Sequence, residues 1–260
     1  MDSGSARRWV CSSSPDREPA LRAVCLASLF TIWRSYARTD TIADRVEGCR
    51  VNGQITAALL LLGGALCFLV GAAIPIRWLE VWFSPAERHL ELIAAHRRAW
   101  SWINGLMIAA VVLNAAGLSV LGASTLQPEV IAGATGYSIG SVWWVIVASY
   151  RSTTALWAAD RLASTKRLPE VFEALDGWMG LAFRIYILIA YGSELVVGAG
   201  LLQTAVVPNW TAWIVVLLGV GGFLSQMPGT TRISALRSMF EVPIVVHVAP
   251  AVVAITLLVR

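Results

Sequence analysis

A few charged or titratable side chains fall inside long apolar stretches of this chain, where they could carry chemistry. Arg184 and Glu194 lie in one such stretch, and His247 lies in another. A charged group at membrane depth costs roughly 2.5–3.5 kcal/mol on insertion scales, so each of these residues needs a partner or a function. A carboxyl or imidazole group there could act as an acid or a base, and an arginine would suit an anionic head group.

Arg184 and Glu194 cannot pair with each other. They are ten residues apart, which in a helix is about 15 Å along the axis and about 80° around it. Each therefore needs a partner on another helix. Counted from Trp178, Arg184 lies about 9 Å deep. Counted from Met239, His247 lies at a comparable depth on the same side of the membrane.

Polar residues of several helices are therefore predicted to form one site. Arg151 closes the third apolar stretch on the side of Arg184. The candidate ligand-binding site consists of Arg151, Arg184, Glu194, Glu241 and His247, with Asn114 deeper and with Tyr186 and Tyr191 as further hydroxyl donors. In the alternative interpretation, the two arginines extend to the lipid head groups and His247 bonds a backbone carbonyl.

The chain has none of the common catalytic or nucleotide-binding motifs, such as G-x-S-x-G, HExxH or a Walker loop. His89 and His96 are seven residues apart, which is not the spacing expected of a zinc site. The four cysteines show no CxxC spacing, which argues against a zinc site or a disulfide framework. We therefore predict no metal site and no cofactor, and an enzyme is the less favoured interpretation.

The elements that must position these residues are long apolar helices. Residues 55–76 contain no charge over 22 positions, and a bilayer core about 30 Å thick needs roughly 20 apolar residues. The composition is 57% hydrophobic and 14% charged, against about 25% charged for a soluble domain. We predict an all-α polytopic bundle of about six membrane-spanning helices, at 53–76, 101–123, 130–151, 178–202, 209–228 and 239–259.

Small and aromatic residues inside these helices are predicted to serve packing. Gly136 and Gly140 form a GxxxG pattern, which lets helices approach closely, and packing within the chain is favoured over dimerisation. Trp143 and Trp144 fall well inside the third helix and are interpreted as packing residues, with a cavity lining as the alternative.

The N-terminal residues 1–50 differ from the transmembrane domain predicted for 51–260. They contain eight arginines and six acidic residues, and their only apolar run, residues 23–33, is about 11 residues long, which is too short to span. We predict a disordered or surface-lying tail with one short amphipathic helix. A signal peptide and an overlong start are the alternatives.

The charge distribution gives a provisional orientation. The 77–100, 151–177 and 229–238 loops carry basic residues, whereas the 124–129 and 203–208 turns carry none. The positive-inside rule places the three basic loops in the cytoplasm and both termini outside. The arginine-rich tail favours the opposite orientation. The basic residues form no patch with interleaved aromatic residues, so nucleic acid is not a predicted partner.

Several short motifs resemble those of a known group. They include Ser84-Pro85-Ala86-Glu87-Arg88, Ile93-Ala94-Ala95-His96, Tyr150-Arg151, Val207-Pro208-Asn209-Trp210 and the segment from Val242 to Pro250. Over residues 50–260 the chain resembles a loose group of uncharacterised bacterial multi-helix membrane proteins. The resemblance implies a membrane location and a helix count, and no catalytic residues. In that group the Ile-Ala-Ala-His loop lies outside the cell, which conflicts with the charge rule and leaves the orientation open.

Three functions fit these observations. The first is a multi-pass cell-membrane protein that binds or moves a small or lipidic molecule, an anionic one being suited to Arg184. The second is a membrane-embedded enzyme that uses His247 or Glu194 on a lipid-soluble substrate. The third is a structural or accessory subunit whose charges pair with a partner's helices. The lipid bilayer is the one predicted partner in each case, and the sequence does not define the oligomeric state.

Overall fold

The computed structural model describes residues 39–74, 85–227, 240 and 244–259, with the backbone alone at 39–47, 49 and 244. The described residues form seven α-helices and no strand, which confirms the predicted all-α class. The helices are α1 (Thr39–Ala73), α2 (Ala86–Ala95), α3 (Arg97–Thr125), α4 (Pro128–Thr165), α5 (Glu170–Leu201), α6 (Asn209–Ser225) and α7 (Ile244–Leu258).

Four of the described helices are long and apolar enough to cross a membrane: residues 50–73 of α1, and all of α3, α4 and α5. The remaining apolar helices are shorter, with 17 residues in α6 and 15 in α7. At 1.5 Å per residue they measure about 26 and 22 Å, less than a bilayer core of about 30 Å. Residues 228–239 and 241–243, which the fifth and sixth predicted spans need, lie outside the described residues. The count of six spans therefore stays a prediction.

Two helices extend well past their predicted ends. The apolar stretch of α4 was expected over 130–151, but the helix continues to Thr165 and has 38 residues, or about 57 Å. Likewise α5 begins at Glu170, eight residues before the predicted start at Trp178. Hydropathy locates the part of a helix that lies in lipid, whereas a helix in water can continue through polar residues. The polar ends of α4 and α5 were therefore missed.

Short connections bring the long helices side by side. Leu126 ends α3 in the left-handed conformation, with φ 55°, and its N–H donates to the Gly122 carbonyl. Pro128 then begins α4, where its missing N–H leaves no helical bond unmade. Lys166 ends α4 in the same left-handed conformation. These tight turns make α3, α4 and α5 antiparallel neighbours.

Glycines set how closely α4 and α5 approach. A β-carbon at Gly133 would lie 2.7 Å from the Ser193 carbonyl oxygen, and one at Gly136 would lie 2.6 Å from the Ser193 hydroxyl. At Gly140 it would lie 3.0 Å from Ile189. The GxxxG glycines thus contact α5 of the same chain, which agrees with the predicted packing within the chain.

By its contacts the chain divides into two units, Met1–Gly48 and Cys49–Arg260. In the first unit, residues 1–38 lie outside the described residues, and with them the predicted short amphipathic helix at 23–33. Residues 39–48 are helical. The helix bundle and its polar residues belong to the second unit.

Candidate functional site

Five buried polar side chains from four helices meet in the middle of the bundle. Each exposes at most 3% of its surface. We call this set the central polar cluster: Asn114 of α3, Tyr137 of α4, Tyr186 and Glu194 of α5, and His247 of α7.

The cluster lies near the middle of a bilayer-sized layer. Glu194 is seven residues from the end of α5, Tyr137 nine from the start of α4, and Asn114 eleven from the end of α3. These spacings correspond to depths of about 10–16 Å. The depths are measured from one side of the bundle, since the two connections there are joined by a 2.9 Å hydrogen bond from Gln127 to Gln203. A bilayer core about 30 Å thick has its midplane at about 15 Å.

His247 is held by a hydrogen bond and by ring stacking. Its Nδ1 lies 2.8 Å from the amide nitrogen of Asn114, and its ring stacks on Phe68 with the ring centroids 4.2 Å apart. With the Asn114 amide as donor, Nδ1 accepts and the ring proton is on Nε2. Nε2 is buried and has no hydrogen-bond partner among the described residues. The imidazole therefore has one fixed nitrogen and one nitrogen available for a ligand.

Glu194 is the most unusual member of the cluster. Neither of its carboxyl oxygens has a hydrogen-bond partner within the described part of the chain, although a buried carboxyl group without one is costly. Beside it lies a cavity with about 10 Å³ of space for a water-sized molecule, close to the minimum for one water. Apolar side chains form the rest of its wall: Leu118, Val197, Val215, Ala249, Pro250 and Val253. The cavity can hold one small polar species and nothing of lipid size.

Tyr137 connects the two halves of the cluster. It lies within interaction range of Asn114, Tyr186 and Glu194, but its hydroxyl meets hydrogen-bond geometry with no described residue. The Tyr186 hydroxyl is also buried and unpaired among the described residues. Trp144 packs on the Tyr186 ring with centroids 5.1 Å apart, which agrees with its predicted packing role. Two phenol groups therefore face the carboxyl group without being saturated by it.

Of the five residues predicted for the site, the structure brings two to the cluster. Glu194 and His247 belong to it. Arg184 is exposed on α5, ten residues and about 15 Å from Glu194. Glu241 lies outside the described residues. The exposed position of Arg184 corresponds to the alternative interpretation, in which the arginine extends toward the head groups.

Arg151 is also distant from the cluster. It is 14 residues beyond Tyr137 on α4, so the two are about 21 Å apart along the helix. Arg151 is half-buried and interacts electrostatically with Asp176 near the start of α5. Its carbonyl oxygen accepts a 2.9 Å hydrogen bond from the Trp100 indole. These contacts tie α3, α4 and α5 together at the far end of the bundle.

The prediction of Asn114 as a deep member of the site agrees with its place in the cluster, and Tyr186 is there too. Tyr191 has another role, because its hydroxyl donates to the Phe240 carbonyl at 3.2 Å. Tyr137 was missed, since a tyrosine in an apolar stretch has no charge to mark it. Its position between Gly136 and Gly140, on the face that approaches α5, is the sequence signal that could have identified it.

No group of three potential metal-ligating residues occurs among the residues that were described. The donors of the cluster are one carboxyl group, one imidazole, two phenols and one amide. Such a set can bind a proton, a water molecule or a small monovalent cation. Comparison with protein-family models, with curated proteins and with solved structures gives no match to the chain. The resemblance to bacterial multi-helix membrane proteins therefore stays a prediction.

Proposed function

We propose that this chain is a multi-pass integral membrane protein that binds protons at Glu194 and moves them across the bilayer through the central polar cluster. The cell membrane of a bacterium is the proposed location, in keeping with the resemblance noted above. The observation that carries the proposal is the Glu194 carboxyl group, which is 2% exposed and has two oxygens without described partners.

The chemistry of the cluster favours a proton over the anionic ligand expected from the sequence. Arg184 is exposed on α5 and lies about a third of a membrane away from the site. The cluster itself offers a carboxyl group and neutral oxygen donors, which attract a positive charge. Acidic and histidine residues inside membrane bundles mark proton and ion pathways.

The size of the cavity favours the same conclusion. About 10 Å³ of space beside Glu194 accommodates one water molecule, so a lipid or a larger solute has no room there. In the proposed mechanism, that water delivers a proton to Glu194. The Tyr137 and Tyr186 hydroxyls then donate hydrogen bonds to the carboxylate when the proton leaves, and the free Nε2 of His247 is the next group able to exchange a proton.

Proton flux into proteoliposomes tests the proposal. The full-length protein is reconstituted with a pH-sensitive dye inside the vesicles, and a potassium diffusion potential drives proton entry. Wild-type protein should acidify the lumen, and Glu194→Gln should slow the initial rate by at least about tenfold, since an amide cannot take up a proton.

Glu173→Gln is the matched control, because Glu173 is an exposed carboxylate near the start of the same helix. It should acidify the lumen at the wild-type rate. A wild-type rate equal to that of protein-free vesicles, or equal rates for Glu194→Gln and wild type, would overturn the proposal.

A further inference from the structure

At the opposite end of the bundle from the uncharged connections, an open groove lies between the start of α3 and the polar half of α4. It has a volume of about 520 Å³ and is lined by Arg97, Arg98, Ser101, Trp102 and Leu156. We call it the interfacial groove. Two guanidinium groups form one end, and an indole ring and a leucine side chain form the other. The groove thus combines a cationic and an apolar wall.

The charges of the interfacial groove do not cancel. Arg97 makes a two-pronged ion pair with Asp160, at 2.6 and 3.1 Å. Arg98 is exposed and forms no ion pair with any residue that the structure describes. One positive charge is therefore left for a ligand, and the planar guanidinium group matches the oxygens of a phosphate.

The groove lies at the depth of lipid head groups. Trp102 is 23 residues and Arg98 27 residues from the end of α3 at Thr125, which correspond to about 35 and 41 Å. A bilayer is about 30 Å thick in its core and about 40–45 Å thick with its head groups. Trp102 is therefore level with the boundary of the hydrocarbon, and Arg98 with the phosphates beyond it.

Exposed aromatic side chains mark the same level. Trp102 is 68% exposed, and Trp157, next to the groove residue Leu156, is 42% exposed. Tryptophan prefers the interface, where its ring contacts acyl chains and its N–H reaches polar groups. An acyl chain lying on Trp102 and Leu156 would bring its own head group to Arg98.

We propose that the interfacial groove binds one anionic phospholipid, with the phosphate on the Arg98 guanidinium and the first part of an acyl chain against Trp102 and Leu156. This inference is independent of proton movement through Glu194. It predicts a preference for a lipid with net negative charge over a zwitterionic lipid, because Arg98 supplies one uncompensated positive charge.

Native mass spectrometry of the detergent-purified full-length protein tests this site. The protein is incubated with equal amounts of phosphatidylglycerol and phosphatidylcholine, and the bound lipid is counted. Wild type should retain phosphatidylglycerol in preference. Arg98→Gln should lower that preference about tenfold, the effect of losing one charge-assisted hydrogen bond. Trp102→Ser should lower retention of both lipids.

Arg161→Gln is the matched control, since Arg161 is an exposed arginine on the same end of α4 and does not line the groove. It removes the same charge and should leave the preference unchanged. Equal losses in Arg98→Gln and Arg161→Gln would show a general charge effect and overturn the site. Displacement of phosphatidylglycerol by excess inorganic phosphate would overturn its assignment to a lipid.

Discussion

At the scale of single residues, Asn114 is the side chain on which the central polar cluster depends. It is fully buried and makes the 2.8 Å contact that fixes the His247 ring. Its amide oxygen has no partner among the described residues and lies toward Tyr137. One amide thus connects the histidine of α7 with the phenol of α4.

Replacing Asn114 by leucine should lower the free energy of unfolding by about 1–3 kcal/mol, because Nδ1 of His247 is then buried without a partner. Thermal unfolding in detergent measures the change. The matched control is Ser119→Ala on the same helix, where an exposed hydroxyl bonds only the Ala115 carbonyl and where the change should stay within about 0.5 kcal/mol. Equal unfolding temperatures for the two variants would contradict the role given to Asn114.

Phe68 closes the other face of the His247 ring, and it is 2% exposed. Phe68→Ala should destabilise the bundle by about 3–5 kcal/mol, the usual cost of emptying a buried aromatic site. Phe68→Leu keeps most of the volume and should lose less than half as much. Chemical denaturation in mixed micelles distinguishes the two. A Leu variant as unstable as the Ala variant would mean that ring stacking, and not volume, is what the site needs.

At the scale of helices, α1 and α3 approach each other most closely next to the cluster. A β-carbon at Gly64 would collide with the Asn114 side chain and lie 2.9 Å from the Ala110 carbonyl oxygen. At the adjacent Gly63 it would meet only Leu113, at an ordinary 3.6 Å. Two neighbouring glycines therefore have different surroundings, one against the site and one against a single side chain.

Gly64→Ala should lower stability by about 1–3 kcal/mol through overpacking and should also slow proton flux, because Asn114 must move. Gly63→Ala should be neutral or slightly stabilising, since alanine favours the helix by up to about 1 kcal/mol. Unfolding and dye acidification are measured on both variants. A Gly64→Ala protein with wild-type stability and flux would contradict the close approach of α1 to Asn114.

The sequence was sufficient to predict the helical class and the apolar parts of four long helices, because a run without charges is enough to identify them. It was insufficient for the partners within the site. Arg151 and Arg184 were grouped with His247 by depths counted from single tryptophan or methionine markers, and α4 and α5 continue well beyond those markers. Which face of a helix meets a neighbour depends on glycine contacts such as Gly133 with Ser193, and these are not visible in hydropathy.

At the scale of the whole molecule, the connections divide into two kinds. The 126–127 and 202–208 connections are uncharged and lie together through Gln127 and Gln203. The 166–169 connection carries Lys166 and Arg167 and joins the far ends of α4 and α5. Under the positive-inside rule, the first two face outward and the third faces the cytoplasm.

Single cysteines introduced in a cysteine-free background test this arrangement in intact cells. A membrane-impermeant thiol reagent should label Gln127→Cys and Gln203→Cys, and should label Lys166→Cys only after the cells are permeabilised. With six spans, a cysteine at Val259 should behave like the one at Gln127. Opposite labelling of positions 127 and 203 would contradict the antiparallel packing of the bundle, and labelling of 166 alone would reverse the orientation.

Pro250, which lines the cavity beside Glu194, interrupts α7 three residues after His247. Proline has no N–H, so the carbonyl of Val246 has no partner in the helix, and helices bend at such points. The hinge lies where the water-sized cavity meets the carboxyl group. A small swing of the two halves of α7 about it would open that cavity toward one face of the membrane at a time, so that a single proline would act as the gate of an alternating-access cycle.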